Sequence, residues 1–308
     1  SMAHHLDQDP GRQTSLLIPQ EPRLAFICQL IDEAFDEFGL YMVHHMRWVG
    51  SAQTTPMGEM TAREFRRLLP PGVEPLLARR LYRRQVSRCP YLFSVAPQSY
   101  DAGVARDRTP PSRPGFPPTH ALLDEAWRRY LAAMEHLLAN QPYLLGGRFT
   151  LADASVYGQL GMNLVDPQAI AQLELLAPNT FRWLCAIRDG RQGEQGRAGL
   201  ALTSSLKPLL RIITSTFVAL MRQNEKAYEN AVADGETVFN EAAFDRHRAL
   251  YDGHLLGHPC RAVAQTFQGR VWRELKESWQ ALDVQDRKSL EQELLPDAGI
   301  TFSPDSAV

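Results

Sequence analysis

The sequence has no apolar run approaching the ~20 residues that cross a bilayer. Its opening stretch, SMAHHLDQDPGRQ, is polar and lacks the apolar region of a secretory signal; Ser1-Met2 reads as an added start rather than a native one. Cysteine is sparse. Cys28, Cys89, Cys185 and Cys260 are scattered without CxxC spacing, and three of the four fall inside apolar helical patterns. That favours free thiols in a reducing compartment over disulfides or zinc ligands, and so a cytoplasmic protein. There is no excess of positive charge either: 33 Lys and Arg stand against 35 Asp and Glu, a formal net charge of -2. Phosphate binding leaves a basic footprint, so nucleic acid is not expected as the main partner. Arg79, Arg80, Arg83, Arg84 and Arg88 are the local exception, and a solvated helix face accounts for them. With no spanning segment, no membrane partner is expected. No segment alternates convincingly in the manner of a strand, and no repeat recurs.

What is present is helical periodicity. Leu24, Ile27, Cys28, Ile31, Phe35 and Phe38 follow the three-and-four spacing that collects side chains on one helix face. Asp32, Glu33, Asp36 and Glu37 crowd the remainder of that helix, as a solvated face or as the lining of a polar cleft. From Thr61 to Ser87 the pattern reads as two helices broken at Leu69-Pro70-Pro71-Gly72, because proline cannot continue a helix and constrains its predecessor. Six prolines between Pro97 and Pro118 mark a mobile loop. A long amphipathic stripe follows, through Leu123, Trp127, Tyr130, Leu131, Met134, Leu137 and Leu138. Further helices are read from Leu151 to Asn163, after Pro178 with Phe181, Leu184, Cys185 and Ile187 inward, and through Leu206, Leu209, Leu210, Ile213, Phe217, Leu220 and Met221. Residues 189–203, with four glycines, read as a linker. The last strong helix carries Val263, Phe267, Val271, Leu275, Trp279 and Leu282, and the tail after Leu295 is expected to fray. The fold class is all-α.

The most specific local signal is Gly146-Gly147-Arg148-Phe149-Thr150-Leu151-Ala152-Asp153. Thr150 is placed as a helix N-cap and Asp153 as the carboxylate that reaches back to its amide, near the positive end of the helix dipole. Ala152, Ala154, Ser155, Gly158 and Gly161 allow close packing behind the cap.

These residues carry a family resemblance. A long amphipathic helix, then QPYLLGGRFTLADASVYG, then LELLAPNTFRWLCAI resembles the core of the C-terminal helical domain of the glutathione transferases. PRLAFICQLIDEAFDEFGLYMVHHMRW resembles the first helix of that domain in longer bacterial members, where it borders the thioredoxin-like half. The resemblance implies a helical domain over 15–190, a C-terminal helical extension over 205–290 and a remnant or linker over 1–14. It also implies that the thioredoxin-like half, which holds glutathione and activates its thiol, is missing. The chain as it stands is then expected not to conjugate glutathione, the co-substrate of the complete enzymes. The alternative is a non-catalytic protein–protein interaction module of the same helical type.

Tyr41, His44, His45, Arg47 and Trp48 form the densest functional-looking cluster. The resemblance places substrate-facing residues there. Arg47 would pair with a glutathione carboxylate, Tyr41 or His45 would hydrogen-bond a small apolar electrophile, and Trp48 would wall its pocket. The alternative puts Trp48 in the core, pairs Arg47 with Asp36 or Glu37 and leaves His44 and His45 exposed. Phe217 and Met221 are candidates for the same pocket, with plain core as the alternative. Thr150 and Asp153 are read as structural, Asn240 as a helix cap, and no catalytic residue or metal ligand is assigned, since adjacent His44 and His45 point about 100° apart on a helix. Loss of a partner half would bare the apolar side of the first helix, so a homodimer is a further expectation.

Overall fold

Glu21 starts the first helix. Its carboxylate accepts the Leu24 N–H at 2.7 Å, and Pro22 takes the first helical position, where its missing N–H has no partner to lose. The computed structural model describes residues 17–68, 70–193, 199–296 and 298–303; the expected remnant over 1–14, Leu69 of the helix break and part of the 189–203 linker lie outside them. From Pro22 the helix runs on as one rod: α-helical over Pro22–Ala34, a π-turn over Phe35–Gly39, α-helical over Leu40–His45, and a second π-turn over Met46–Gly50. A second rod is built the same way, from Lys207–Ile213 through a π-turn at Thr214–Val218 into Ala219–Ala233. The two rods touch at the π-turns Phe35–Gly39 and Thr214–Val218. Tyr130, from the helix His120–Leu138, sits at this contact. It meets Phe35 edge-on at 5.4 Å, stacks on Phe38 at 6.2 Å, and its hydroxyl shares a 2.8 Å hydrogen bond with Thr216.

The central helix Leu151–Leu160 packs on the first rod, and its start shows why the Thr150–Asp153 pair matters. The capping box is formed. The Thr150 N–H and hydroxyl donate to Asp153 Oδ2 at 2.9 and 2.8 Å, and the Leu144 N–H donates to Oδ1 at 2.9 Å. All of this is sealed from solvent, and burial pushes the Asp153 carboxyl up to about 6 against the pull of these donors.

The helical framework agrees with the sequence reading, and the differences are local. The exception among the described residues is a two-stranded antiparallel hairpin, Leu250–Leu255 with His258–Val263. Its turn, Leu256-Gly257, takes positive φ at both positions, the geometry that matches strand twist but is ordinarily signalled by Asn-Gly. Val263 therefore belongs to a strand, and the last long helix starts at Thr266 with Phe267 turned to solvent. A helix over Pro167–Leu176 was not foreseen. In the helix Pro178–Arg188 Trp183 and Leu184 are buried, whereas Phe181, Cys185 and Ile187 are half-buried. The expected fraying after Leu295 does not hold through Ser303: Phe302 is buried and packs on Phe26, Trp272 and Trp279 at 5.2–5.6 Å. The proline-rich stretch 97–118 is irregular, as expected, yet it is tied down. Arg113 donates to the Phe244 carbonyl at 2.7 Å and Asp107 pairs with Arg79 and Arg83.

The C-terminal segment also decides what the first helix can offer. Leu24, Phe26, Ile27, Leu30 and Ile31 are buried, covered by the central helix and by the helices Thr266–Ala281 and Val284–Glu293. The apolar side that was expected to be bare is filled from within the chain.

Asp153→Ala removes the acceptor of three donors in a sealed site. It should destabilise the chain by about 3 kcal/mol, read from urea unfolding; a loss below ~1 kcal/mol would show that the box is not central to the core.

Candidate functional site

A helix turns about 100° per residue, so Tyr41 and His45 leave the first rod on one face while Leu40, His44, Arg47 and Trp48 leave it on another. The structure separates the cluster accordingly. Leu40, Val43, His44, Arg47 and Trp48 line a cavity of about 210 Å³, closed by Met57, Thr61, Leu81, Gln85 and Met162. A cavity of ~150 Å³ already admits benzene, so this one has room for a small substituted ring. Its walls are mostly apolar, and its polar groups are His44, Arg47, Gln85 and Thr61.

The histidine of the cavity is thus His44. It is buried, and neither ring nitrogen meets a protein hydrogen-bond partner in good geometry. Burial drives its pKa down to about 3; the nearby charges of Arg88 and Arg47 act the same way, and only Gln85 opposes them. It is therefore a neutral imidazole at neutral pH, offering one donor and one acceptor. Arg47 is already engaged: its Nε donates to Asp166 at 2.9 Å, and its guanidinium also donates to the Met162 carbonyl. Asp166 is fully buried and stands before Pro167 as the residue preceding that helix. The sequence had offered Asp36 or Glu37 as its partner; the actual one is 119 residues away. Trp48 contributes one wall and meets Tyr82 edge-on at 5.3 Å.

Tyr41 faces the interior. Its hydroxyl accepts from Gln265 and Gln268 at 3.2 and 3.0 Å, and the ring stacks on Phe93 at 5.4 Å. Phe217 and Met221 are fully buried in the main core and line none of the hollows described here.

His45 belongs to a different arrangement. Nδ1 lies 2.7 Å from Ser94 Oγ and Nε2 lies 3.2 Å from Asp124 Oδ1, with His120 packed edge-on at 4.9 Å and Tyr100 beyond it. Serine, histidine and carboxylate in line suggest a hydrolytic triad, but the burial runs the wrong way. Ser94 is sealed at 0% exposure, while the Asp124 side chain is 53% exposed. A nucleophile must reach its substrate, and this hydroxyl does not. The group ties the first rod to the helix His120–Leu138. Burial first, and then the neighbouring His45, hold His120 down to about 3.

A hollow of about 610 Å³ lies between the first helix and Thr266–Ala281, with Asp32, Glu33, Glu274 and Glu277 in its lining. The acidic residues of the first helix thus border a cleft. Burial pushes Asp32 up to about 6 and Glu33 up to about 7, and neighbouring carboxylates push further the same way. An anionic peptide such as glutathione would be repelled there.

Comparison with known families supplies one match. Residues 100–184 match the family model of the glutathione S-transferase C-terminal domain. Over those residues the chain is similar to that domain. The match takes in the helices from His120 to Leu176, the Thr150–Asp153 box and most of the helix Pro178–Arg188; the first rod, the helices between Met57 and Ser87 and the C-terminal segment lie outside it. No curated protein and no solved structure matches the chain. No helix among the described residues is long and apolar enough to cross a membrane.

Two outcomes test this electrostatic account. A base depressed by burial contributes stability that is lost as pH falls below its unfolded value toward about 3. His44→Leu should therefore lose less stability than the parent between about pH 7 and about pH 5, by about 2 kcal/mol. Equal losses would mean that His44 is protonated in place. Glu33 is the opposite case: a raised carboxyl keeps its proton in the folded chain, so stability falls as pH rises from the ordinary glutamate range through about 7. Glu33→Gln should raise the melting temperature more at about pH 8 than at about pH 5; a uniform shift would show that burial does not perturb this group.

Proposed function

We propose that this chain is the helical, substrate-binding half of a glutathione transferase-like protein, presenting an apolar pocket to a small electrophile. The observation that carries this reading is the cavity of about 210 Å³ at the second π-turn of the first rod, bordered by His44, Arg47 and Trp48, in a chain whose residues 100–184 match the family's C-terminal domain. π-turns inside helices recur at functional sites. In this reading glutathione and the activation of its thiol come from a thioredoxin-like partner half, and this half supplies proximity and a water-poor wall. The neutral His44 would orient a polar substituent of the electrophile. Arg47, neutralised by Asp166, would hold the wall rather than clamp a free carboxylate. Alone, the chain would not conjugate glutathione.

The test uses the full chain, a small nitroaromatic as probe and tryptophan fluorescence as readout. Binding should quench the emission, and Trp48→Phe should abolish most of the quenching. Thr61→Trp, which fills the cavity, should weaken binding about tenfold or more. Glutathione alone at millimolar concentration should give no heat in calorimetry. Quenching that persists unchanged in both variants would remove the pocket from the argument, and one-site glutathione binding would overturn the division of labour between the halves.

A further inference from the structure

The helices Met57–Glu64 and Glu74–Ser87 pack against each other as a hairpin, and the sequence from Met57 to Arg88 holds eight arginines and three glutamates in a chain of net charge -2. Every described residue from Arg63 to Gly72 is exposed. At this end the apolar side chains also face solvent: Leu68 is 81% exposed and Leu76 68%, and Phe65 and Met60 are exposed as well. Arg63, Arg66, Arg67 and Arg80 take part in no ion pair among the described residues, whereas Arg79 and Arg83 share Asp107, and Arg84 and Arg88 share Glu241. Met60, Arg63, Glu64, Arg66 and Arg67 border a surface hollow of about 490 Å³.

The other end of the hairpin is held firmly. The Tyr82 hydroxyl lies within hydrogen-bond reach of the Thr55 carbonyl and of Glu59, its ring meets Trp48 edge-on at 5.3 Å, and the Arg108 guanidinium lies 3.7 Å above it. Gly58 faces that ring so closely that a Cβ would collide with it. A firmly seated base thus presents a tip of leucines ringed by uncompensated arginines.

We propose that this hairpin tip docks on an anionic lipid surface, with Leu68 and Leu76 entering the acyl boundary and Arg63, Arg66, Arg67 and Arg80 meeting headgroup phosphates. Charge complementarity selects an anionic partner. The leucines select among anionic partners: a nucleic-acid duplex offers aliphatic side chains no apolar host, and an acidic protein would need a groove shaped for a protruding tip. The bilayer interface accepts both groups at once, since arginine stems run alongside apolar surface while the charged heads stay in the phosphate layer. Each basic side chain near such a surface adds about fivefold to affinity. This departs from the expectation of no membrane partner, which rested on the absence of a spanning segment, and it is independent of the small-molecule reading.

The experiment is co-sedimentation of the full chain with vesicles of phosphatidylcholine alone and of phosphatidylcholine mixed with phosphatidylserine, at low and high salt, with polyglutamate and a DNA duplex as soluble anionic competitors. Binding should be at least about tenfold tighter to the mixed vesicles and should weaken with salt. The double exchange Leu68→Ser and Leu76→Ser should weaken it by about tenfold or more, and Arg66→Gln with Arg67→Gln by about twenty-fivefold. These positions are exposed, and unchanged circular dichroism and melting would confirm that each variant is folded. Absence of binding to the mixed vesicles, or binding that both double variants leave unchanged, overturns the proposal. Binding to polyglutamate or to DNA without vesicle binding would give the tip to an acidic protein or a nucleic acid, and would overturn it equally.

Discussion

The Asp153 carboxylate holds the rest of the domain in place. One oxygen gathers the Thr150 amide and hydroxyl, and the other gathers the Leu144 amide. A carboxylate withdrawn from water is costly unless its lone pairs are filled, so the turn before the central helix has little freedom in how it approaches Leu151. With that helix placed, the first rod packs along it. The first rod in turn places both the cavity residues and the buried tyrosines. A surface cap contributes about 1 kcal/mol; a sealed cap that also orients the entering loop constrains the whole arrangement around it.

From that arrangement follows a division of the first rod into faces with different tasks. The Tyr41 and His45 side binds the molecule together, through Gln265, Gln268, Ser94 and Asp124. The His44, Arg47 and Trp48 side borders a space. Adjacent histidines with the same chemistry therefore differ in what they can do: His45 has partners on both nitrogens, and His44 has a buried ring without one in the protein. A buried polar group that also borders a space is where a ligand has something to gain.

Much of the fold was legible along the chain. The first helix, the proline break near residue 70, the amphipathic stripe to Leu138 and the Thr150 box all follow from contacts within a few residues, and local spacing records such contacts directly. Asn240 likewise caps its short helix as its side chain suggests, accepting the Ala242 N–H at 2.9 Å. The hairpin at Leu250–Val263 was not legible, because its turn is Leu-Gly and a proline interrupts the second strand. The fate of Phe302 was equally hidden: it depends on Phe26, nearly the whole chain away, and no local pattern encodes that contact.

The sequence by itself determined a mainly helical chain, the helix-capping box, the family resemblance and a neighbourhood, residues 41–48, in which to look for a site. Only the tertiary structure decided which residues in that neighbourhood share a space. Arg47 met Asp166 rather than its acidic neighbours, Phe217 and Met221 went to the core, and Gln85 and Met162 came from distant segments to close the cavity. The reason is physical. Helical spacing tells which side chains leave a rod on the same side, while what waits on that side is set by how separate rods pack.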